Sequence, residues 1–329
     1  MKKRLLCVTR TYVLIFCSLL FSAKISSQDL YGTHRKRVEV GFNVGPSFFL
    51  GDLGGNAGKG KRFVKDLNLQ LTQIWTGAFI AIYPTDWLAF RLTGQVGTLT
   101  ADDYAIKTKG VDELWRKQRN LDFRSTIKEA YFVTEFYPLN LLTNQLEFVH
   151  RIQPYGTLGI GVFRFNPQGS LTSSNGTKTW YDLKPLRTEG EGMAEYPGRK
   201  EYSLTQVSLP IGMGLRFIIS ERFTMSIEML LRKSFTDYID DVSTNYIDPN
   251  LFDKYLSPHD AAIARQVSDK TYGIITPGLN RYQPGTQRGN PKQNDSYVST
   301  LLKLGIKLGP VEYSDMKRNH SQTKCPKRF

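Results

Sequence analysis

The chain has 329 residues, 40% hydrophobic and 12% aromatic, with 44 Lys and Arg against 30 Asp and Glu and a formal charge of +14. That apolar content excludes helical membrane spans but not barrel strands, whose lipid-facing residues are diluted twofold by inward-facing ones. The length admits two or three ordinary domains or one long β-barrel, and no nucleic-acid-binding motif stands behind the basic balance.

Residues 1–27 read as a secretory signal peptide. Lys2, Lys3 and Arg4 open it, and residues 12–21 are apolar but too short to span a bilayer as a helix. Arg10 interrupts the leader, and cleavage is expected near Ser26-Ser27-Gln28. Cys17 follows Phe16 rather than a small residue, which argues against a lipoprotein signal. Loss of Lys2, Lys3, Arg4, Arg10 and Lys24 with the leader leaves a net charge of about +9, suited to an anionic lipid surface or an acidic partner. Cys7 and Cys17 leave too, so Cys325 has no intrachain partner.

Period-two alternation then marks eight strands, near 38–49, 74–83, 87–99, 125–137, 153–165, 206–219, 223–235 and 296–308. In the first, Val38, Val40, Phe42 and Val44 oppose Glu39, Gly41, Asn43 and Gly45. The second and third are separated only by Pro84, Thr85 and Asp86, with Tyr83 and Trp87 as the amphipathic aromatics of a membrane interface. A loop at 100–124 carries a helical turn at 111–117, and 138–152 holds a helix-like stretch. Gly156, Gly159 and Gly161 let the fifth strand bend where a small barrel curves. Residues 166–202 are a polar loop or a projecting hairpin.

The sixth and seventh strands alternate most clearly. Val207, Leu209, Ile211, Met213, Leu215 and Phe217 are followed, after the turn Ser220-Glu221-Arg222, by Phe223, Met225, Ile227, Met229 and Leu231. Short turns at one end and long loops at the other predict an all-β fold, an eight-stranded antiparallel transmembrane β-barrel with short periplasmic turns and long extracellular loops. Its domains are then the leader at 1–27, an outer-membrane barrel at 28–308 and a basic periplasmic tail at 309–329, with both termini periplasmic.

The inward positions include Glu39, Arg91, Glu129, Glu135, Arg216, Glu228, Arg232, Lys303 and Lys307, nearly balanced in sign. Buried charges persist only when paired, so interlocking ion pairs should fill a lumen just wide enough for side chains and leave no open pore.

Gly55-Asn56-Ala57-Gly58-Lys59-Gly60-Lys61 has the spacing of a phosphate-binding loop, but Arg62 stands where a Ser or Thr should hold magnesium, and a plain loop is expected. Asp237, Asp240, Asp241, Asp248 and Asp253 are hard oxygen ligands of the kind that hold Ca²⁺, yet their spacing is not that of an EF-hand. They are expected to cap turns or to pair with Arg119, Arg124 or Arg232 at the rim, without a metal. His34, His150, His259 and His320 fall on separate segments, and neither they nor Ser257 mark a nucleophile site. Asn175-Gly176-Thr177 reads as a turn rather than a glycosylation site. No enzyme activity, cofactor or small-molecule substrate is implied.

Four pieces carry a family likeness: Gly51-Asp52-Leu53-Gly54-Gly55; Arg119-Asn120-Leu121 with Phe123-Arg124-Ser125; Glu135-Phe136; and Asp237-Tyr238-Ile239-Asp240-Asp241-Val242-Ser243-Thr244. With them the chain, from about residue 38 to 310, resembles the PorG-like outer-membrane barrels of the Bacteroidetes type IX secretion system. The resemblance implies a non-enzymatic barrel in outer-membrane lipid that associates with the periplasmic ring lipoprotein and its partner, supporting protein export and, in some members, gliding motility. On that reading Thr85, Asp86, Glu221 and Arg222 are periplasmic contact candidates, and Asp237, Tyr238, Asp240 and Asp241 form the family-motif loop. The insert at 249–294 and the basic tail depart from the pattern. The alternative is an OmpA-like surface barrel that binds an external ligand or host molecule through its long loops.

Overall fold

The computed structural model describes residues 37–53, 71–105, 111–142, 151–271 and 283–308. The expected leader, the phosphate-loop look-alike, the basic tail, and His34, His150 and His320 lie outside the described residues.

The barrel strands are β1 (Arg37–Leu50), β2 (Gln73–Tyr83), β3 (Leu88–Asp102), β4 (Asp122–Phe136), β5 (Ile152–Arg164), β8 (Thr205–Ile218), β9 (Phe223–Ser234) and β10 (Ser296–Leu308). Each pairs antiparallel with its neighbours, β3 pairs with β4, and β1 pairs with β10, so the eight close into a ring. Closure satisfies every edge, the condition for crossing hydrocarbon with strands. Between β5 and β8 a further hairpin, β6 (Pro167–Thr172) and β7 (Lys178–Asp182), hangs from the long-loop end of β4 through Arg124↔Gln168 and Ser125↔Pro167. Its tip is the Asn175-Gly176 turn, with Gly176 at φ 80°.

Outward positions carry the apolar residues. Phe42, Ile80, Leu92, Phe132, Leu158, Met213, Ile227 and Leu304 are exposed, while Glu39, Asn43, Arg91, Thr93 and Glu135 on the same strands are buried. Such a belt around a closed ring is the surface that lipid covers. β3 and β4 pair over their full 15 residues, from Leu88↔Phe136 to Asp102↔Asp122. At about 3.3 Å per residue and the usual tilt they rise about 35–40 Å, against an apolar band about 25 Å tall, so their far ends project beyond the membrane.

Among the described residues there are also four short α-helices: α1 (Val111–Arg119), α2 (Pro138–Leu142), α3 (Leu251–Tyr255) and α4 (Pro258–Ser268). Helix α4 starts where Ser257 caps it, the hydroxyl accepting from the Asp260 amide, with Pro258 in the first turn. Ser257, which carries no nucleophile-site signal in the sequence, thus has a capping role. The long loops are folded: Leu183, Leu186, Met193, Ile247, Phe252, Ala261, Ile263, Ala264 and Val267 form a small core of their own. Ordering each residue costs about 1–2 kcal/mol, and this core is what offsets that cost. We call this unit the cap.

Tyr83 departs from its expected place at the membrane interface. It is buried inside the barrel, with the Arg216 guanidinium 4.4 Å over its ring, whereas Trp87 packs edge-on against Phe136 on the outside. Nor does Gly159 serve mainly for bending. A Cβ there would lie 2.0 Å from the Phe132 carbonyl oxygen, so the residue is small because β4 approaches closely.

Candidate functional site

Two regions hold the chemistry. The lumen decides whether anything passes through the barrel. At the short-turn end Phe79, Tyr83, Tyr137 and Tyr155 pack together. Above them Arg91 Nε meets Glu135 Oε1 at 2.6 Å and Arg91 Nη2 meets Glu228 Oε2 at 2.6 Å. Lys303 Nζ lies 3.0 Å and 3.1 Å from the same two carboxylates. The Tyr137 and Tyr155 hydroxyls donate to Glu135 and Glu228 at 2.5 and 2.8 Å. Arg216 pairs with Glu39, which also accepts from the Thr224 hydroxyl at 2.8 Å. Arg232 meets Glu129 at 2.9 Å, and the Tyr297 hydroxyl donates to the other Glu129 oxygen at 2.6 Å. Lys307 is half-buried at the rim. At the long-loop end Trp75, Leu99, Phe123, Ile127, Phe163 and Tyr297 close the barrel with aliphatic and aromatic bulk. The ion pairs thus lie between two layers of apolar and aromatic side chains.

The second region is the mouth, where the motif pieces meet. The Leu53 amide donates to Asp240 Oδ2 at 3.1 Å across 187 positions of sequence. Arg119 Nη2 donates to the Asp52 carbonyl at 2.7 Å and Arg119 Nη1 to the Arg288 carbonyl at 2.6 Å, while Nε meets Asp103 at 2.7 Å. The amides of Ser243 and Thr244 and the Thr244 hydroxyl donate to the Glu189 carboxylate at 2.9, 2.8 and 2.6 Å, and Arg288 meets Glu189 at 2.9 Å. Asp241 stands at φ 61° and Asn120 at φ 54°, backbone that Asp and Asn tolerate better than most residues. The Asp241 carboxylate accepts from the Thr188 hydroxyl at 2.5 Å and the Tyr202 hydroxyl at 2.6 Å. Tyr202 in turn stacks on Tyr238, 4.7 Å apart at 9°.

Burial dominates the electrostatics here. It pushes Asp237 up to about 8, Asp241 to about 6 and Glu191 to about 8, and raises Asp240 and Asp295 well above the usual carboxylate range. Burial alone would lower Arg119, but the Asp103 carboxylate reverses that and holds it above its ordinary value.

The five loop aspartates do not form one group. Asp248 caps the Asn250 amide at 2.9 Å and Asp253 pairs with Arg265, both on the cap, while Asp237, Asp240 and Asp241 lie at the mouth. Only Asp240 and Asp248 cap turns, Asp253 pairs with Arg265, Asp241 accepts from side-chain hydroxyls, and the arginines expected as partners are used elsewhere. Arg119 takes Asp103, Arg124 binds Gln168 at 2.8 Å and covers the Trp180 ring, and Arg232 takes Glu129 inside the barrel. His259 is exposed on α4. Among the described residues no group of acidic, histidine or cysteine side chains is placed to hold a metal ion.

Of the other motif pieces, Phe123 sits in the mouth layer, Ser125 accepts from the Asn166 amide at 3.1 Å, and Glu135 and Phe136 divide between lumen and lipid face. Sequence reasoning missed Asp103, Glu189, Glu191, Arg288 and Asp295. Each is a single charge in an aperiodic loop, and its partners are distant in sequence. At the short-turn end Asp86 meets Arg37 at 2.5 Å, Thr85 is half-buried, and Glu221 and Arg222 are exposed. Val38↔Leu308 places both ends of the barrel sheet there too.

No protein-family model matches the chain, and no curated protein does. Among solved structures the chain is similar to Ail, the attachment invasion locus protein of Yersinia pestis, at 9% identity over 83% of this chain and 97% of that one, with a TM-score of 0.32. It is also similar to the outer membrane protein OprG from Pseudomonas aeruginosa, at 12% identity over 84% and 96%, TM-score 0.30. The N-terminal β-barrel domain of OprF from the same organism matches at 9% identity over 83% and 100%, TM-score 0.26. Matches this distant carry no argument on function, and the assignment of an eight-stranded barrel rests on the closed strand order of the chain itself.

Proposed function

We propose that the protein is a non-enzymatic outer-membrane barrel of the type IX secretion machine, anchoring or scaffolding its periplasmic ring. The observation that supports this reading is the meeting of three of its four PorG-like motif pieces. Asp52-Leu53, Arg119-Asn120-Leu121 and Asp237 to Thr244, far apart in sequence, bond to one another at the mouth. A chance likeness scattered along a loop-rich chain gives no reason for that convergence. A plugged lumen leaves binding surfaces as the means of action. On this reading the ring lipoprotein and its partner meet the short-turn end, through Thr85, Asp86, Glu221, Arg222 and the tail, and the termini face the periplasm. The test is deletion of the gene together with crosslinking pull-down from the outer membrane. Expected are a loss of secretion of proteins that carry the type IX signal and recovery of the ring lipoprotein. Unchanged secretion with no ring lipoprotein recovered refutes the reading.

A second reading has one observation in its favour. A cleft of about 370 Å³ opens between the β3–β4 extension, β6–β7 and the end of α4, lined by Asp102, Tyr104, Asp122, Lys178 and Lys270. A surface barrel that binds an external ligand would use such a place. Replacing residues 166–202 and 248–294 with short turns then abolishes binding and leaves secretion intact.

A further inference from the structure

The base of the cap encloses more acid than base. Asp240 and Asp295 are fully buried, and Asp237 is 7% exposed. Backbone amides hold one side of the group: Leu53 and Val242 donate to Asp240 at 3.1 and 3.0 Å, Ile239 to Asp295 at 2.8 Å, and Asn290 to Asp52. The other side is unbonded among the described residues. Asp295 Oδ1 and both Asp237 oxygens lack a partner at hydrogen-bond geometry, with only a weaker approach of Ser243 to Asp237. Asp52, Asp237, Asp240 and Asp295 repel one another as like charges.

Every neighbouring element brings either more acid or a cation already in use. From the β3–β4 connection come Asp103 and Arg119, and Arg119 is engaged by Asp103 and by the carbonyls of Asp52 and Arg288. The loop before β8 brings Glu189, which faces Asp52 and Asp237, and Glu191, which faces Asp241. The Tyr202 and Tyr238 hydroxyls border the same two loops, next to Asp241. Tyr246, further along the β9–β10 connection, faces Arg119 and Arg288. Arg288, before β10, is engaged by Glu189 and the Asp241 carbonyl. Buried Asp237, Asp240 and Asp295 and half-buried Asp52 thus have no bonded cation among the described residues, with Arg119 acting on Asp52 and Asp240 only through space, and ionised carboxylates are not left unpaired in such surroundings.

We propose that Asp52, Asp237, Asp240 and Asp295 form a proton-loaded latch, over which the cap closes only while the group as a whole carries protons in place of a cation. Raised carboxyl values agree with this, Asp237 reaching about 8. An unfolded aspartate titrates near 4. Between about pH 4 and about pH 8 the closed cap therefore holds more protons than the open one, and closure weakens as pH rises through that window. Below it the latch is at full strength.

The test uses the full chain folded in detergent micelles and reads hydrogen-exchange protection of the amides of Leu53, Ile239, Val242 and Asn290 against amides of β4 and β9. From about pH 6.5 to about pH 9 these four mouth amides, which the closed cap is proposed to protect, are expected to lose at least about tenfold protection, and the strand amides none. Asp237→Asn and Asp295→Asn each remove one titrating group without changing shape, and each flattens the fall. Protection that does not change with pH in the wild type overturns the proposal. So does a fall left unchanged in both variants, because the protons then belong to Glu191 or Asp241. Rescue at about pH 9 by CaCl₂, with loss at about pH 6.5 on adding EDTA, overturns it as well, because a cation is then the neutraliser. Should either variant fail to fold, the wild-type titration with and without CaCl₂ decides.

Discussion

Replacing Arg91 with Met tests the sealed lumen. Arg91 is fully buried and holds Glu135 and Glu228 at 2.6 Å each, with Lys303 at 3.0 and 3.1 Å from the same oxygens. Two cations thus face two carboxylates. Arg91→Met keeps most of the volume and leaves one ammonium to serve both acids. It also removes donors to the Thr93 and Tyr131 hydroxyls. Removing one partner of a buried ion pair costs about 3–5 kcal/mol, because the other charge stays buried and unbalanced. The upper half of that range is expected here, since both acids lose a short charge-assisted bond. Arg91→Met with Glu228→Gln restores one acid to one base and should recover about 2 kcal/mol. Urea titration of the chain folded in micelles measures this through Trp75, which is buried in the mouth layer. An Arg91→Met variant within about 1 kcal/mol of wild type, or a double variant less stable than the single one, refutes charge pairing as the basis of lumen stability.

Three further outcomes are expected. Gly159→Ala puts a Cβ 2.0 Å from the Phe132 oxygen and 2.7 Å from Val133 Cα, and should cost about 2–3 kcal/mol in the same titration. Gly156→Ala, on the same strand with nothing within 4 Å, should change stability by less than about 0.5 kcal/mol. Asp241→Ala loses the bonds from Thr188 and Tyr202 and puts Ala at φ 61°, so cap loops become protease-sensitive by about 2 kcal/mol of local stability while the urea midpoint of the barrel holds. Asp241 is raised by burial to about 6. Its share of cap stability is therefore complete below about pH 4 and is lost as pH climbs through 6, which the same proteolysis run at about pH 5 and about pH 7.5 reads. In planar bilayers the wild-type chain should give no stepwise conductance, and sustained steps would show that the apolar layers and ion pairs do not seal the barrel.

Much of the barrel was legible because period two survives wherever one strand face is polar. β8 and β9 show it, as do the inward charges, since a carboxylate or guanidinium on an alternating strand has nowhere to go but inside. β2 is harder, because both of its faces are apolar. Phe79, Ala81 and Tyr83 share one face and Ile80 and Ile82 the other, and the hydroxyl of Tyr83 suggested an interface aromatic where phase alone pointed inward. The cap left no trace of this kind. Its core joins Leu183 and Met193 to Phe252 and Val267 across separate segments, and only the short helix α4 carries a period there, through Ala261, Ala264 and Val267. The mouth depends on pairings such as Arg119 with Asp103 and Arg288 with Glu189, in which only the fold selects among many possible acids. Motif likeness brought Asp52, Asp240 and Asp241 to notice, but Asp295 stood alone before β10 and had no such signal.

The two regions differ in charge balance, and this has a consequence for how the ends of the molecule can be coupled. In the lumen Arg91, Lys303, Arg216 and Arg232 answer Glu135, Glu228, Glu39 and Glu129 one for one, and each carboxylate also takes a hydroxyl or amide bond. A charge-balanced layer in a closed ring favours one arrangement, even with Glu228 Oε1, Arg216 Nε and Arg232 Nε unpartnered, and coupling between distant sites needs two. The mouth is unbalanced, so its closure depends on the solution it meets. A change outside therefore acts on the cap and stops at the lumen. On the proposed function, any contacts of Asp86, Glu221 and Arg222 at the far end would depend on the barrel being present and rigid, and not on the state of the cap.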